Sequence, residues 1–210
     1  MFQYQIIPVT DFQENCSIVW CDETNEAAFI DPGGEPELLK KAVEKLGVNI
    51  KQILLTHGHL DHVGVAAELA KHYDVKIIGP SQEDEFLFTA LPQQSMQFGF
   101  PYTESFLPDR WLKENDKIQI GNISLDVLFC PGHTPGHIVF INLKDKIAFI
   151  GDVLFKNSIG RTDFPRGNHA DLISSITHKL FPLGDDFIFV PGHGPMSSFG
   201  NERMTNPFLV

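Results

Sequence analysis

The 210-residue sequence is short of cysteine, short of positive charge and without any long apolar run, and each shortage removes a class of protein. Its three cysteines, Cys16, Cys21 and Cys130, are odd in number and form no CxxC pair. A disulfide framework or a thiol redox motif needs paired cysteines, so reduced thiols in a reducing compartment are the expectation. The 16 basic side chains stand against 27 acidic ones, a formal charge of −11. A field of that sign repels polyanions, so no nucleic-acid partner is expected. A small anionic substrate is still acceptable, because screening over about 8 Å at physiological salt lets a local Arg or Lys outweigh distant charge. The start MFQYQIIPVT has no basic segment leading into an apolar one, and nowhere do the roughly 18 apolar residues needed for a membrane span run together. Neither export nor membrane association is expected, and the expected location is cytoplasmic. With 42% hydrophobic residues, no linker and no low-complexity stretch, one domain over residues 1–210 is expected.

What is present alternates strands with helices. FQYQIIPV (2–9), CSIVW (16–20) and EAAFID (26–31) are short, rich in β-branched or aromatic residues and bounded by turn formers, the pattern of strands. EPELLKKAVEKLG predicts a helix with Leu38, Leu39, Ala42, Val43 and Leu46 on one face and Gly47 as its stop. The strand IKQILLT, a helix through AAELAKHY and the strand VKIIG follow. Residues 81–112 start as a short helix and then lose all periodicity, which reads as a long excursion beside a site. DKIQIGNISLDVLFC, HIVFINLK and DKIAFIGD then read as strands, 169–180 as a helix and FIFVPGH as a last strand. Two such halves face to face predict two sheets packed together with helices outside.

Chemistry concentrates where strands stop. HGHLDH follows the apolar run ILLT and places His57, His59, Asp61 and His62 at a strand's carboxyl end, where layered α/β proteins open onto a crevice. FCPGH ends a strand with His133, FIGD ends another with Asp152, and VPGHG a third with His193. In each, a Gly or Pro-Gly turn lets the chain bend so that the next side chain faces the rim. Seven imidazole and carboxylate donors therefore gather at one edge. That mixture suits zinc, iron or manganese, and the lack of thiolate argues against a closed structural zinc site. His72, His169 and His178 lie on helical segments and read as ordinary solvated side chains. Cys130 with His133 has the composition of a nucleophile and base, but Cys130 closes an apolar strand and reads as a small core residue.

The motif HxHxDH, here His57, His59, Asp61 and His62, with His133, Asp152 and His193 following in order, resembles the metallo-β-lactamase superfamily over residues 57–193. The resemblance implies a four-layer αββα sandwich of the α/β (α+β) class and two divalent transition metal ions. It puts His57, His59 and His133 on one, Asp61, His62 and His193 on the other, and Asp152 between them. Within the superfamily, GDVLFKNSIGRTDFPRGNHADLISSI is similar to the type II glyoxalases in their short bacterial form, hydrolases of S-(2-hydroxyacyl)glutathione. In those terms Arg161 occupies the place of a glutathione-binding basic residue, whereas the C-terminal helical domain of larger members has only residues 194–210 in its place.

That resemblance predicts a thioester hydrolase without a Ser or Cys nucleophile. Two cations sharing a water bring its pKa from 15.7 toward about 7, with Asp61 and Asp152 as the catalytic carboxylates that hold and orient it. Arg161 and Arg166, in GRTDFPRG, are the candidates for clamping an anionic glutathione conjugate, since guanidinium pairs bidentately with carboxylate. Asp163 is placed to orient Arg161 or a ligand histidine. A persulfide dioxygenase is the competing enzyme class; it also carries GRTDF and uses one iron, matched here by His57, His133 and Asp152. A non-catalytic metal-binding module would be marked by a missing ligand, and none is missing. β-Lactam hydrolysis is the weaker expectation, because GRTDF is foreign to the lactamases.

Overall fold

The computed structural model describes residues 1–210. Five strands, β1 (Phe2–Val9), β2 (Glu14–Cys21), β3 (Glu26–Ile30), β4 (Asn49–Leu54) and β5 (Lys76–Ile78), form one sheet in the order β1-β2-β3-β4-β5. The first three pair antiparallel; β3, β4 and β5 pair parallel. Their crossovers carry helix α1 (Pro36–Leu46), the single turn α2 (Leu60–Val63) and α3 (Ala66–Tyr73). Helices α4 (Glu85–Thr89) and α5 (Leu91–Phe98) follow. The second sheet uses β6 (Lys117–Ile120), β7 (Ile123–Phe129), β8 (Ile138–Asn142) and β9 (Ile147–Gly151). After the small β10–β11 hairpin (Leu154–Phe155, Ser158–Ile159) and helix α6 (His169–Ser175), it is completed by β12 (Ile188–Pro191) and β13 (Ser197–Ser198). Helix α7 (Phe199–Thr205) is the last element, and no helix is long and apolar enough to cross a membrane.

Side-chain alternation along the central strands builds the layers. In β3, Ala27 and Phe29 face α1 and α3, where Leu39, Val43 and Leu69 meet them, while Ala28 and Ile30 face the other sheet. In β8 and β9, Ile138, Phe140, Ile147 and Phe149 fill the space between the sheets, and Val139, Ile141, Ala148 and Ile150 turn to Leu172, Ile176 and Phe199. Strands apolar on both faces must be covered on both faces, so the result is helix, sheet, sheet, helix. Each fully buried Phe, Ile or Leu in these layers contributes about 1.5–3 kcal/mol. This is the sheet sandwich with helices outside that the strand and helix alternation predicted, and the four-layer αββα sandwich of the α/β (α+β) class that the resemblance implied.

Four local expectations change. DKIQIGNISLDVLFC is a hairpin, not one strand: Ile120 pairs with Ile123 across Gly121-Asn122, and Gly121 takes φ 55°. Residues 91–98 are a helix, although the stretch has no apolar period, because its inner face is partly polar. Leu91, Gln94 and Ser95 are buried, and Gln94 accepts the Leu60 N–H at 3.0 Å and donates to the Leu87 carbonyl at 2.9 Å. Leu38 is exposed; Leu39 and Val43 carry the buried face of α1. Helix α7 was not expected at all. Its Ser198 side chain caps it by accepting the Asn201 N–H at 3.1 Å.

The sheets are stitched together at one end. The Ile138 N–H donates to the Thr56 carbonyl at 2.9 Å, and the Asn15 N–H to the Gly192 carbonyl at 2.7 Å. That end is where β4, β9 and β12 deliver their last residues.

Candidate metal centre

The loop after β4 carries His57 and His59, and α2 carries Asp61 and His62 on its first turn. The chain packs so tightly here that a Cβ on Gly33 would fall 1.5 Å from the Asp61 carbonyl oxygen. Only glycine in IDPGG lets the β3–α1 loop support α2 at this distance. The β7–β8 loop adds His133, the end of β9 Asp152, and the turn after β12 His193.

Two groups of donors result. His57 Nε2 and His133 Nε2 lie 3.1 and 3.0 Å from His59 Nδ1, and His133 Nε2 lies 3.5 Å from Asp152 Oδ2. Asp61 Oδ2 lies 3.2 Å from His193 Nε2 and 3.7 Å from His62 Nε2. Asp152 faces this second group as well, with Oδ1 3.5 Å from His62 Nε2 and Oδ2 3.7 Å from His193 Nε2. Ligands held about 2.0–2.2 Å from one ion lie roughly 3.0–3.5 Å from each other, which these separations match.

Proton placement decides that the donors fit a metal. His57 Nδ1–H donates to Thr56 Oγ1 at 3.0 Å and His133 Nδ1–H to the Arg161 carbonyl at 2.8 Å, so both Nε2 atoms present lone pairs. Those lone pairs converge on His59 Nδ1, an arrangement that a cation relieves. His62 Nε2 and Asp152 Oδ1 are buried with no hydrogen-bond partner of their own. Burial, reinforced by neighbouring histidines, holds His57 well below the ordinary imidazole range and brings His59 down to about 3, so both imidazoles are neutral. Burial opposes ionisation of Asp152, but His62, His133 and His193 outweigh it and keep the carboxylate charged. His62 goes the other way: burial lowers it, yet Asp152 and Asp61 raise it well above the usual value. The carboxylates here call for positive charge.

A family model for the metallo-beta-lactamase superfamily matches residues 9–193. The chain belongs to the metallo-β-lactamase superfamily. It is 54% identical over 206 residues to the hydroxyacylglutathione hydrolase GloC of Haemophilus influenzae, which covers 98% of this chain and 97% of that one. Among solved structures, BLEG-1 B3 metallo-beta-lactamase matches with a TM-score of 0.91 at 33% identity over 99% of both chains. TTHA1623 in a di-iron-bound form matches with a TM-score of 0.89 at 35% identity, over 98% of this chain and 100% of that one. This member of a superfamily that binds divalent metals is a metallo-hydrolase of the glyoxalase II-like kind, with His-rich candidate sites.

Residues that sequence reasoning passed over hold this metallo-β-lactamase site in place. Asp31 accepts the Thr56 N–H at 2.7 Å and hydroxyl at 2.5 Å and receives His62 Nδ1–H at 3.0 Å. It ends β3 in AFID just as Asp152 ends β9 in FIGD, a signal that was legible. His137 stacks on His57 at 4.7 Å and accepts the Asp152 N–H at 3.1 Å, so it sets the Asp152 backbone. The Pro-Gly before it in PGHTPGH marked it as plainly as His133. Glu14, fully buried 3.7 Å from His62 Nδ1, has its carboxyl pushed well above the usual range by burial, and no sequence pattern pointed to it. Asp31→Asn is expected to lower metal affinity about 10–100-fold, read by competition with a chromophoric chelator, because the amide no longer fixes the His62 tautomer.

A cavity of 740 Å³ opens over the centre, with His59, Asp61, His133, Asp152 and His193 at its floor. Arg161 lines it and is held bidentately by Asp163, with Nε and Nη2 each at 2.7 Å from a carboxylate oxygen. Arg166 is not among the lining residues; it pairs with Glu83 at 2.8 Å. His72, His169 and His178 are exposed and away from the centre. Cys130 is buried in the core behind the second sheet, its thiol pushed up to about 12 by burial, and is no nucleophile.

Proposed function

We propose that the protein hydrolyses S-(2-hydroxyacyl)glutathione, such as S-D-lactoylglutathione, to glutathione and a 2-hydroxy acid. The observation that carries this reading is the Asp152 carboxylate facing two complete donor triads at the floor of a cavity large enough for a glutathione thioester. The name of the Haemophilus influenzae relative, alike over nearly the whole chain, supports the thioester.

In this reading His57, His59 and His133 hold one divalent ion, Asp61, His62 and His193 a second, and Asp152 serves both. Zinc is the expected metal; iron and manganese accept the same donors, and the relative with two bound irons supports a two-metal site. When bound, the pair supplies Lewis acidity and brings the pKa of water toward about 7. Asp61 and Asp152 hold and orient the attacking water through their carboxylate oxygens, and the proton that the water loses passes to solvent through the open cavity. The water oxygen bonds to the thioester carbon, the C–S bond breaks, and the thiolate leaves as a stable anion without a strong general acid. Arg161, at the cavity wall, faces the anionic thiol carrier.

Metal content and S-D-lactoylglutathione turnover measured on one preparation test the proposal. Turnover should vanish after dialysis against a chelator and return with zinc, iron or manganese. Activity no higher than that of His57→Ala would overturn it, and oxygen uptake with glutathione persulfide instead would assign the one-iron dioxygenase. The dioxygenase would leave Asp61, His62 and His193 without a role.

A further inference from the structure

The cavity has two unlike walls. On the first, the Phe164 ring lies 4.9 Å from His59 and 5.9 Å from His133, and the Arg161 guanidinium sits 4.1 Å over it. On the second, Phe12 meets Phe98 and Phe100 edge to face at 6.0 and 4.9 Å. The Phe12 carbonyl accepts His193 Nδ1–H at 3.0 Å, so this aromatic wall starts beside the second donor triad. Arg161 is the sole Lys or Arg lining the cavity, and it belongs to the first wall. Phe12 is 47% exposed and Phe98 38%, although both lie where a bound ligand would cover them. Aromatic surface left open inside a cavity is the mark of an apolar ligand group.

We propose that the acyl group of the substrate is apolar, aromatic in the best substrates, and seats against Phe12, Phe98 and Phe100 while the thiol carrier points to Arg161. The inference rests on the thioester reading above and names the acyl class. The carbonyl between the two walls lies over the floor residues Asp61 and Asp152. A lactoyl methyl reaches little of the Phe12 wall; a phenyl ring in its place covers it.

S-D-lactoylglutathione and S-D-mandeloylglutathione share the thiol carrier and the 2-hydroxyl and differ as methyl and phenyl. The mandeloyl thioester should have a kcat/KM higher by about tenfold or more, as expected for burying a ring in an apolar pocket. As competitive inhibitors, S-benzylglutathione should bind more tightly than S-methylglutathione by a similar factor. Phe98→Ala, at a partly exposed position at the end of α5, should reduce the mandeloyl to lactoyl ratio severalfold, as should Phe12→Ala. Turnover of both thioesters with a ratio at or below one, or equal inhibition by the two thioethers, would overturn the acyl assignment and leave the hydrolase standing. Failure on both thioesters would overturn the hydrolase reading and this inference with it.

Discussion

Asp152→Asn lowers thioester hydrolysis by on the order of 10³-fold, the several kcal/mol that a metal centre contributes to such a transition state. The Asp152 carboxylate faces both donor groups. One carboxylate oxygen lies 3.5 Å from His62 Nε2, the other 3.5 Å from His133 Nε2 and 3.7 Å from His193 Nε2. Asparagine keeps the shape and the backbone N–H to His137 but removes the negative charge and one acceptor. Bound metal, counted per chain by elemental analysis, should fall together with activity. Full metal occupancy with wild-type turnover in this variant would remove Asp152 from the centre.

Asp84→Ala costs about 3 kcal/mol of stability and lowers the melting temperature by about 6–12 °C. The Asp84 carboxylate is buried and accepts the Gly58 N–H at 3.1 Å, the Thr134 hydroxyl at 2.8 Å and the Gly136 N–H at 2.6 Å. Gly58 lies between His57 and His59, and Thr134 follows His133, so one side chain fixes both loops of the first triad. Removing it leaves three buried donors unpaired. Burial raises the Asp84 carboxyl to about 6 against those three hydrogen bonds, from an ordinary 3.8. A folded value above the unfolded one means that its contribution is complete below about pH 4 and is lost as pH rises through about 6. The stability of wild type minus that of D84N should therefore fall by up to about 3 kcal/mol from about pH 4 to about pH 7, measured by urea unfolding across that range. Wild-type stability rising relative to D84N over the range would reverse the assignment.

The strand ends were legible because they are local: an apolar run stops, a glycine or proline turns the chain, and a donor follows. That signal located His57, His59, Asp61, His62, His133, Asp152 and His193, and the structure brings all seven together. The same signal stands at Asp31 and His137, whose roles appear only from what they touch, Thr56 and His62 for one, the Asp152 amide for the other. Helix α5 escaped because its buried face uses Gln94 and Ser95, whose value lies in hydrogen bonds rather than in apolar period.

The sequence by itself determined the donor types, their order and the strands that carry them, since each depends on neighbours within a few residues. The family resemblance already implied which donors share a group; only the tertiary structure decided that Asp163 already holds Arg161 and Glu83 holds Arg166, and that Phe12, Phe98 and Phe100 form one wall. Asp84 and Gly136 stand 52 positions apart, and Phe12 and His193 181. Contacts across such separations follow from how the two sheets pack, and no local pattern encodes that.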